Sequence, residues 1–192
     1  MKKFILFLLG AASIFSMSSC SYNSLVSLDE NVKTQWAQVE NAYKRRADLI
    51  PNLVNTVKGA ANFEQKTLTD VIEARSKATS VRIDANNLTP DKIKEFQEAQ
   101  GQLGSALGRL LSVTENYPQL RATESFQELQ SQLEGTENRI SVEREKFNTM
   151  TREYNTKVRS FPSNISANLF GFKEKPYFEA PAGSDKAPSV SF

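Results

Sequence analysis

The sequence predicts an all-α fold: an antiparallel, up-down-up-down four-helix bundle of left-handed hand, with two long helices and a short C-terminal helix. Two rows of apolar residues at seven-residue spacing, one toward each end of the chain, carry that expectation. No strand-like stretch lies between them. The clearest row is Phe126, Leu133, Ile140, Phe147, Tyr154 and Phe161, with Leu129 and Met150 at the companion position. A straight helix drifts by about 20° per heptad against such a repeat, so a partner that follows it must supercoil left-handed.

Near the other end, Leu25, Val32, Val39, Arg46, Leu53 and Ala60 form one seven-step row, and Trp36, Tyr43, Ile50 and Val57 form the next. Pro51 interrupts the hydrogen bonding of this helix without changing its phase. An interior proline costs about 3 kcal/mol, so a kink is expected there, with a complete break as the alternative. The stop is expected at Gly59, after Lys58. Asn62 and Gln65 then cap a shorter helix that turns Phe63, Leu68, Val71, Ile72 and Ala78 inward. Thr89, Pro90 and Asp91 open another, with threonine as cap and proline in the first turn; its core row is Ile93, Phe96, Gln100, Leu103, Leu107 and Leu110. Gly101, Gly104 and Gly108 share one side of it, which suggests close approach of a neighbouring backbone.

The last long helix starts at Thr123 or Ser125 and stops at Pro162. From Thr123 to Ser160 it makes a rod of about 57 Å at the usual helical rise. Residues 163–170 suffice for a short helix, and Phe172, Tyr177 and Phe178 follow. Long first and last helices can pair alone as a stalk, with the short pair joining them in a distal head. From Glu179 to Phe192 the chain is mostly small residues and proline, and it is expected to be disordered.

The N-terminus adds a location. Lys2 and Lys3 precede the apolar run Phe4 to Phe15, which is short for a membrane span of roughly 20 residues and reads as a signal peptide covering residues 1–19. Met17-Ser18-Ser19-Cys20 resembles a lipobox, in which the cysteine is acylated, palmitate being one such chain, and becomes the first residue of the mature protein. An uncleaved signal anchor and plain secretion are the competing readings. The bundle domain then spans residues 20–178. Ser21 instead of aspartate after Cys20 points to the outer membrane, facing the periplasm, if the organism has two membranes.

Composition excludes several classes of function. The full chain has 24 basic and 22 acidic residues, and loss of Lys2 and Lys3 with the signal leaves the mature chain neutral, so the positive excess on which nucleic-acid binding depends is absent. There is no histidine and only one cysteine, which removes the usual metal ligands, the imidazole base and, if Cys20 is acylated, the thiolate nucleophile. No cofactor, no metal and no enzymatic activity are expected. A glycosidase working with carboxylates alone needs a cleft that long helices seldom form.

Several motifs together resemble one family. Tyr22-Asn23-Ser24-Leu25-Val26, the block from Arg45-Arg46-Ala47-Asp48-Leu49-Ile50-Pro51-Asn52-Leu53-Val54 to Gly59, the pair Tyr117-Pro118, and Phe161-Pro162-Ser163-Asn164 with Phe170-Gly171-Phe172 are similar to those of the LemA family. The similarity covers nearly all of residues 22–178. It implies a bacterial envelope protein whose helical bundle follows an N-terminal hydrophobic segment, commonly a membrane anchor, which a lipidated Cys20 replaces here. Family members often carry an aromatic residue and a histidine after the glycine; this chain has Ala60-Ala61-Asn62-Phe63, so no role of that histidine transfers. The resemblance implies no reaction.

Three further expectations concern particular residues. Arg46 and Glu143 each interrupt an apolar row, and with Leu25 level with Phe161 they fall within a turn of one another, as a partly buried ion pair or as two side chains that snorkel outward. Asp48, Asn52 and Asn55 surround the proline and either satisfy its freed carbonyls or form an interaction surface. Phe172 belongs to a second possible contact segment. The expected function is a lipid-anchored, non-enzymatic scaffold or adaptor in the cell envelope, held to the membrane through Cys20 and binding an envelope protein partner; the alternative is a carrier of apolar ligands between the helices.

Overall fold

The computed structural model describes residues 2–59 and 64–179, with side chains from Ser21 onward. The described residues form six helices, α1 (Lys2–Lys58), α2 (Gln65–Ser80), α3 (Pro90–Thr114), α4 (Pro118–Arg121), α5 (Glu124–Arg159) and α6 (Ser163–Phe170), and no strand occurs among them. Ala60, the last member of the predicted α1 row, Asn62, Phe63 and most of the segment expected to be disordered, residues 180–192, lie outside the described residues.

Both predicted rows face inward. In α5 every member of the row from Phe126 to Tyr154 is buried, whereas Phe161, placed in the same row, lies past the helix end and is 80% exposed. In α1, Leu25, Val32, Trp36, Val39, Ile50, Leu53 and Val57 are completely buried. Pro51 does not divide the helix, so the alternative of a complete break is excluded. Its ring sits on the exposed side, while Ile50, Leu53 and Val54 beside it are buried. Burying three such side chains is worth about 1.5–3 kcal/mol each, enough to offset the missing hydrogen bond.

The closest pairing is α1 with α5, followed by α2 with α3. Trp36 meets Phe147 with ring centroids 5.6 Å apart, and Arg46 meets Glu137 at 2.6 Å, so the long helices run antiparallel. Their register lies about one turn from the one that puts Leu25 level with Phe161. Gln100 reaches the Ala78 carbonyl and Arg109 reaches Asp70, which makes α2 and α3 antiparallel too. Toward Gly59, all five helices from α1 to α5 share one core cluster, built around Ile50, Leu68, Leu103, Leu107, Leu120 and Phe126. Toward the N-terminal end, α1, α3 and α5 form another around Trp36, Phe96, Phe147 and Tyr154.

Local signals set the ends of the shorter helices. Thr89 caps α3 by accepting from the Lys92 amide at 3.4 Å, with Pro90 in the first turn, as expected. Thr123 precedes α5 but turns its hydroxyl back to the Leu120 carbonyl at 2.7 Å instead of capping. Ile72, expected inside, is 46% exposed, because the inward stripe of α2 follows Leu68, Val71 and Ala78. Gly171 ends α6 in the left-handed region, at φ 76°, where glycine carries no Cβ penalty.

Beyond Gly171 the chain runs extended from Phe172 to Glu179, back along α5. Two asparagines on α5, Asn155 and Asn148, hold this strap by its backbone. Asn155 donates to the Lys175 carbonyl and accepts from its amide, both at 2.8 Å. Asn148 does the same to Phe178, at 3.0 and 2.8 Å. Tyr154 adds a bond to the Lys173 carbonyl at 3.0 Å. Phe178 is thereby seated in the core, stacked on Trp36 and edge-on to Phe147. Gln97 and Arg144 both donate to the Glu179 carbonyl, so the first residue of the segment expected to be disordered is held. A bare two-helix stalk is therefore not what forms at the N-terminal end: Phe96 of α3 and Phe178 of the strap cover Trp36, Phe178 also covers Phe147, and α6 packs on α1 nearer Ser21 and Tyr22.

Asn148→Ala removes both bonds to Phe178 and is expected to cost about 1–3 kcal/mol locally. Hydrogen exchange should show loss of protection at the Phe178 amide with α1 and α5 unchanged; equal loss along all three segments would mean that the strap is not a separable unit.

Candidate functional site

Arg46 sits on α1 where the apolar row would place an aliphatic residue, and it is 3% exposed. A buried guanidinium must spend its donors on protein acceptors. One goes to Glu137 of α5 at 2.6 Å, and two bonds go to Gln100 of α3, to its carbonyl at 3.1 Å and its side-chain oxygen at 2.8 Å. Nε is buried without a hydrogen-bond partner, and the guanidinium stands 5.2 Å from the Tyr43 ring centroid. Gln100 in turn donates to the Ala78 carbonyl, so one arginine ties together four helices. Burial pushes the Tyr43 phenol above its ordinary value, despite the nearby Arg144 and Arg46.

The predicted partner of Arg46 was Glu143, and the structure corrects this. Glu143 is 2% exposed and forms ion pairs on its own helix, with Arg139 at 2.8 Å and Lys146 at 3.3 Å, and accepts from Gln35 at 2.6 Å. The one-turn difference in register brings Glu137 to Arg46 and carries Glu143 beyond reach. Burial opposes ionisation of Glu143, but the hydrogen bonds from Gln35 and Lys146, with the charge of Arg139, hold its carboxyl below the usual range. Glu137 lies one turn before Ile140 and carries no sequence mark to distinguish it from other surface glutamates. Asn148 and Asn155 do carry one: each follows a buried aromatic, Phe147 and Tyr154, at the same seven-residue spacing.

Around Arg46 a cleft of about 480 Å³ opens between α1, α3 and α5, bordered by Lys94, Glu98, Gly101, Gly104 and Arg144. The glycines are not there for a neighbouring backbone. A Cβ at Gly101 or Gly108 would meet nothing within 4 Å, and at Gly104 it would meet only an Arg46 nitrogen at 3.9 Å. Their effect is to leave this cleft and the flank of α3 open. Its mixed cations and carboxylates suit a polar contact more than an apolar ligand.

Asp48, Asn52 and Asn55 are all exposed on one side of α1, around Pro51, and none has a side-chain hydrogen bond or ion pair among the described residues. They cap no freed carbonyl. At the same end, Thr56 and Gly59 border a second cleft, of about 870 Å³, with Tyr117, Pro118, Leu120 and Thr123. Two sequence motifs distant along the chain therefore meet at one end of the molecule. Phe172 is half-buried, 5.9 Å from the Tyr22 ring and packed on the core, so it offers little contact surface. The side chain of Cys20 lies outside the described residues. Among the described residues no helix is long and apolar enough to cross a membrane, and no group of three or more acidic or cysteine side chains is placed to hold a metal.

A double-mutant cycle separates the two candidate pairs. Arg46→Met with Glu143→Leu should be additive within about 0.5 kcal/mol, and Arg46→Met with Glu137→Gln should show a coupling of about 0.5–3 kcal/mol. Urea denaturation of the single and double variants reads both numbers.

The chain is 28% identical over 184 residues to magnetosome protein MamQ 2 of Paramagnetospirillum magneticum, covering 84% of this chain and 66% of that protein. To magnetosome protein MamQ of Magnetospirillum gryphiswaldense it is 27% identical over 182 residues, again covering 84% and 66%. To protein LemA of Metamycoplasma hominis it is 25% identical over 178 residues, covering 92% of this chain and 78% of that one. The chain thus spans just under two thirds of the length of the MamQ proteins. The LemA family profile matches residues 35–192, which takes in the Pro51 block, the Arg46 cluster, α5 with its asparagines, and the strap: this chain belongs to the LemA family.

Proposed function

We propose that this protein is a lipid-anchored, non-enzymatic scaffold or adaptor of the bacterial cell envelope, organised as a left-handed up-down-up-down four-helix bundle whose distal end makes the protein contact. One observation carries the reading. α1 is a single helix from the apolar N-terminal sequence through Pro51 to Lys58. Whatever holds residues 1–20 at a membrane therefore holds the exposed Asp48, Asn52 and Asn55 surface at the far end of a rigid rod. From Ser21 to Lys58 that rod measures about 57 Å.

Acylation of Cys20 is the proposed tether, with the signal ending at residue 19 and the outer membrane, periplasmic face, as the proposed site where two membranes exist. An envelope protein is the proposed partner. The names of the relatives, magnetosome proteins among them, are consistent with work at a membrane and supply no reaction. A carrier of apolar ligands finds less support, since the cleft that Gly101 and Gly104 border carries Arg46, Lys94, Glu137 and Arg144.

Cys20→Ala should abolish incorporation of labelled palmitate and release the protein from the membrane fraction. Retention in the membrane without label would instead identify an uncleaved signal anchor. For the distal end, a photocrosslinking residue at Asn52 should trap a defined neighbour in cells that one at Glu153, near the C-terminal end of α5, does not; equal yields at both sites would contradict a distal contact surface.

A further inference from the structure

Helix α6 is built inside out. Its small residues Ser163, Ser166 and Ala167 are buried against the bundle, while Ile165, Leu169 and Phe170 face outward, 61%, 76% and 55% exposed. Phe161 and Tyr22 extend the same patch, 80% and 38% exposed. Five of the eight exposed large apolar side chains among the described residues thus gather at one end of the molecule. Leaving each in water forfeits roughly 1.5–3 kcal/mol of burial, which is a poor design for a helix that only packs. Contiguous apolar patches of this kind mark an interaction surface.

The position of the patch names its occupant. Ser21 touches Ser163 at 3.4 Å, and the Tyr22 ring lies 4.7 Å from that of Phe170, so α6 sits beside the point where α1 emerges from the apolar N-terminal sequence. The thirteen residues from Ser160 to Phe172 contain no charged side chain, and Arg159 and Lys173 flank them directly. An uncharged apolar surface with basic residues at its edge is the chemistry of a bilayer interface with anionic headgroups. We propose that α6, with Phe161 and Tyr22, docks into the surface of the lipid bilayer and gives the anchored rod a fixed footing. This rests on the proposed membrane tether and adds a second contact to it: one acyl-bearing attachment leaves a rod free to tilt, whereas an apolar patch beside the attachment restricts it.

The test uses the full chain, produced with its native N-terminus and reconstituted into phosphatidylcholine–phosphatidylglycerol vesicles whose acyl chains are brominated. Trp36 is buried well along the rod and supplies a constant baseline. Leu169→Trp and, separately, Ile165→Trp add a second emitter on an exposed position, so folding is not at stake. Their added emission should lose at least about half its intensity relative to unbrominated vesicles. Val142→Trp, exposed on α5, should lose none. Vesicle flotation runs alongside. Chain that floats with tryptophans at 165 and 169 no more quenched than that at 142 overturns the docking and leaves the tether intact. Chain that does not float overturns the tether and the docking with it. Unquenched emission that is blue-shifted, and that moves to the red when the chain is diluted in the vesicles, identifies a second copy as the cover and overturns the bilayer as occupant.

Discussion

Lengthwise packing of α1 on α5 is the constraint from which the rest of the structure follows. Two helices of this length bury their seven-residue rows only in a shared register, and Trp36 against Phe147 with Arg46 against Glu137 fixes it. Once the register is set, α2 and α3 have a surface to close over near Gly59, and the strap has a groove between α1, α3 and α5 to fill near the other end. Pro51 is tolerated for the same reason. The buried residues on either side of it keep the helix continuous across a missing hydrogen bond.

Two polar devices sit within this packing, and each makes it more specific. A buried arginine is seldom a strong source of stability compared with an aliphatic residue, but its donors accept only one arrangement of neighbours. Arg46 finds its acceptors on α3 and α5 together, so a slip of one turn in either helix leaves a charge unpaired. Asn148 and Asn155 impose a similar condition on the strap. They read backbone, and among the described side chains beyond Phe172 only Phe178 is buried, with Lys175 paired to Asp29 at 2.8 Å.

Much of the fold was legible in the residues. The apolar rows, the Thr89-Pro90 start, the stop at Lys58 and the short helix over 163–170 all follow from spacing and local chemistry, which depend only on nearby positions. The register of the long pair was legible to within a turn and no better, because neighbouring heptads look alike and the choice among them is made by tertiary contacts. That single turn is why Glu143 was matched to Arg46 in place of Glu137. The strap is not legible in its own residues for a different reason: an extended segment held by side-chain amides has no periodicity of its own, and its mark lies in α5, in asparagines that follow the aromatic row. The three glycines of α3 misled because a missing side chain signals close approach and open space equally well. Of the candidate surfaces, Asp48, Asn52 and Asn55 are exposed on one side of α1, a choice between capping and exposure that the sequence left open, and Phe172 is half-buried while its neighbours Phe161, Ile165, Leu169 and Phe170 face outward.

The pairing of α1 with α5 is tested most directly by a distance between spin labels at Asn55 and Glu153, both exposed. With α1 unbroken and the observed register, position 55 lies opposite about position 128, and the two labels stand roughly 40 Å apart along the rod. The pulsed dipolar spectrum should show one narrow distance near that value. A broad distribution, or a principal distance shorter by a third or more, would mean that α1 leaves its line at Pro51 or meets α5 in another register, and would contradict the account.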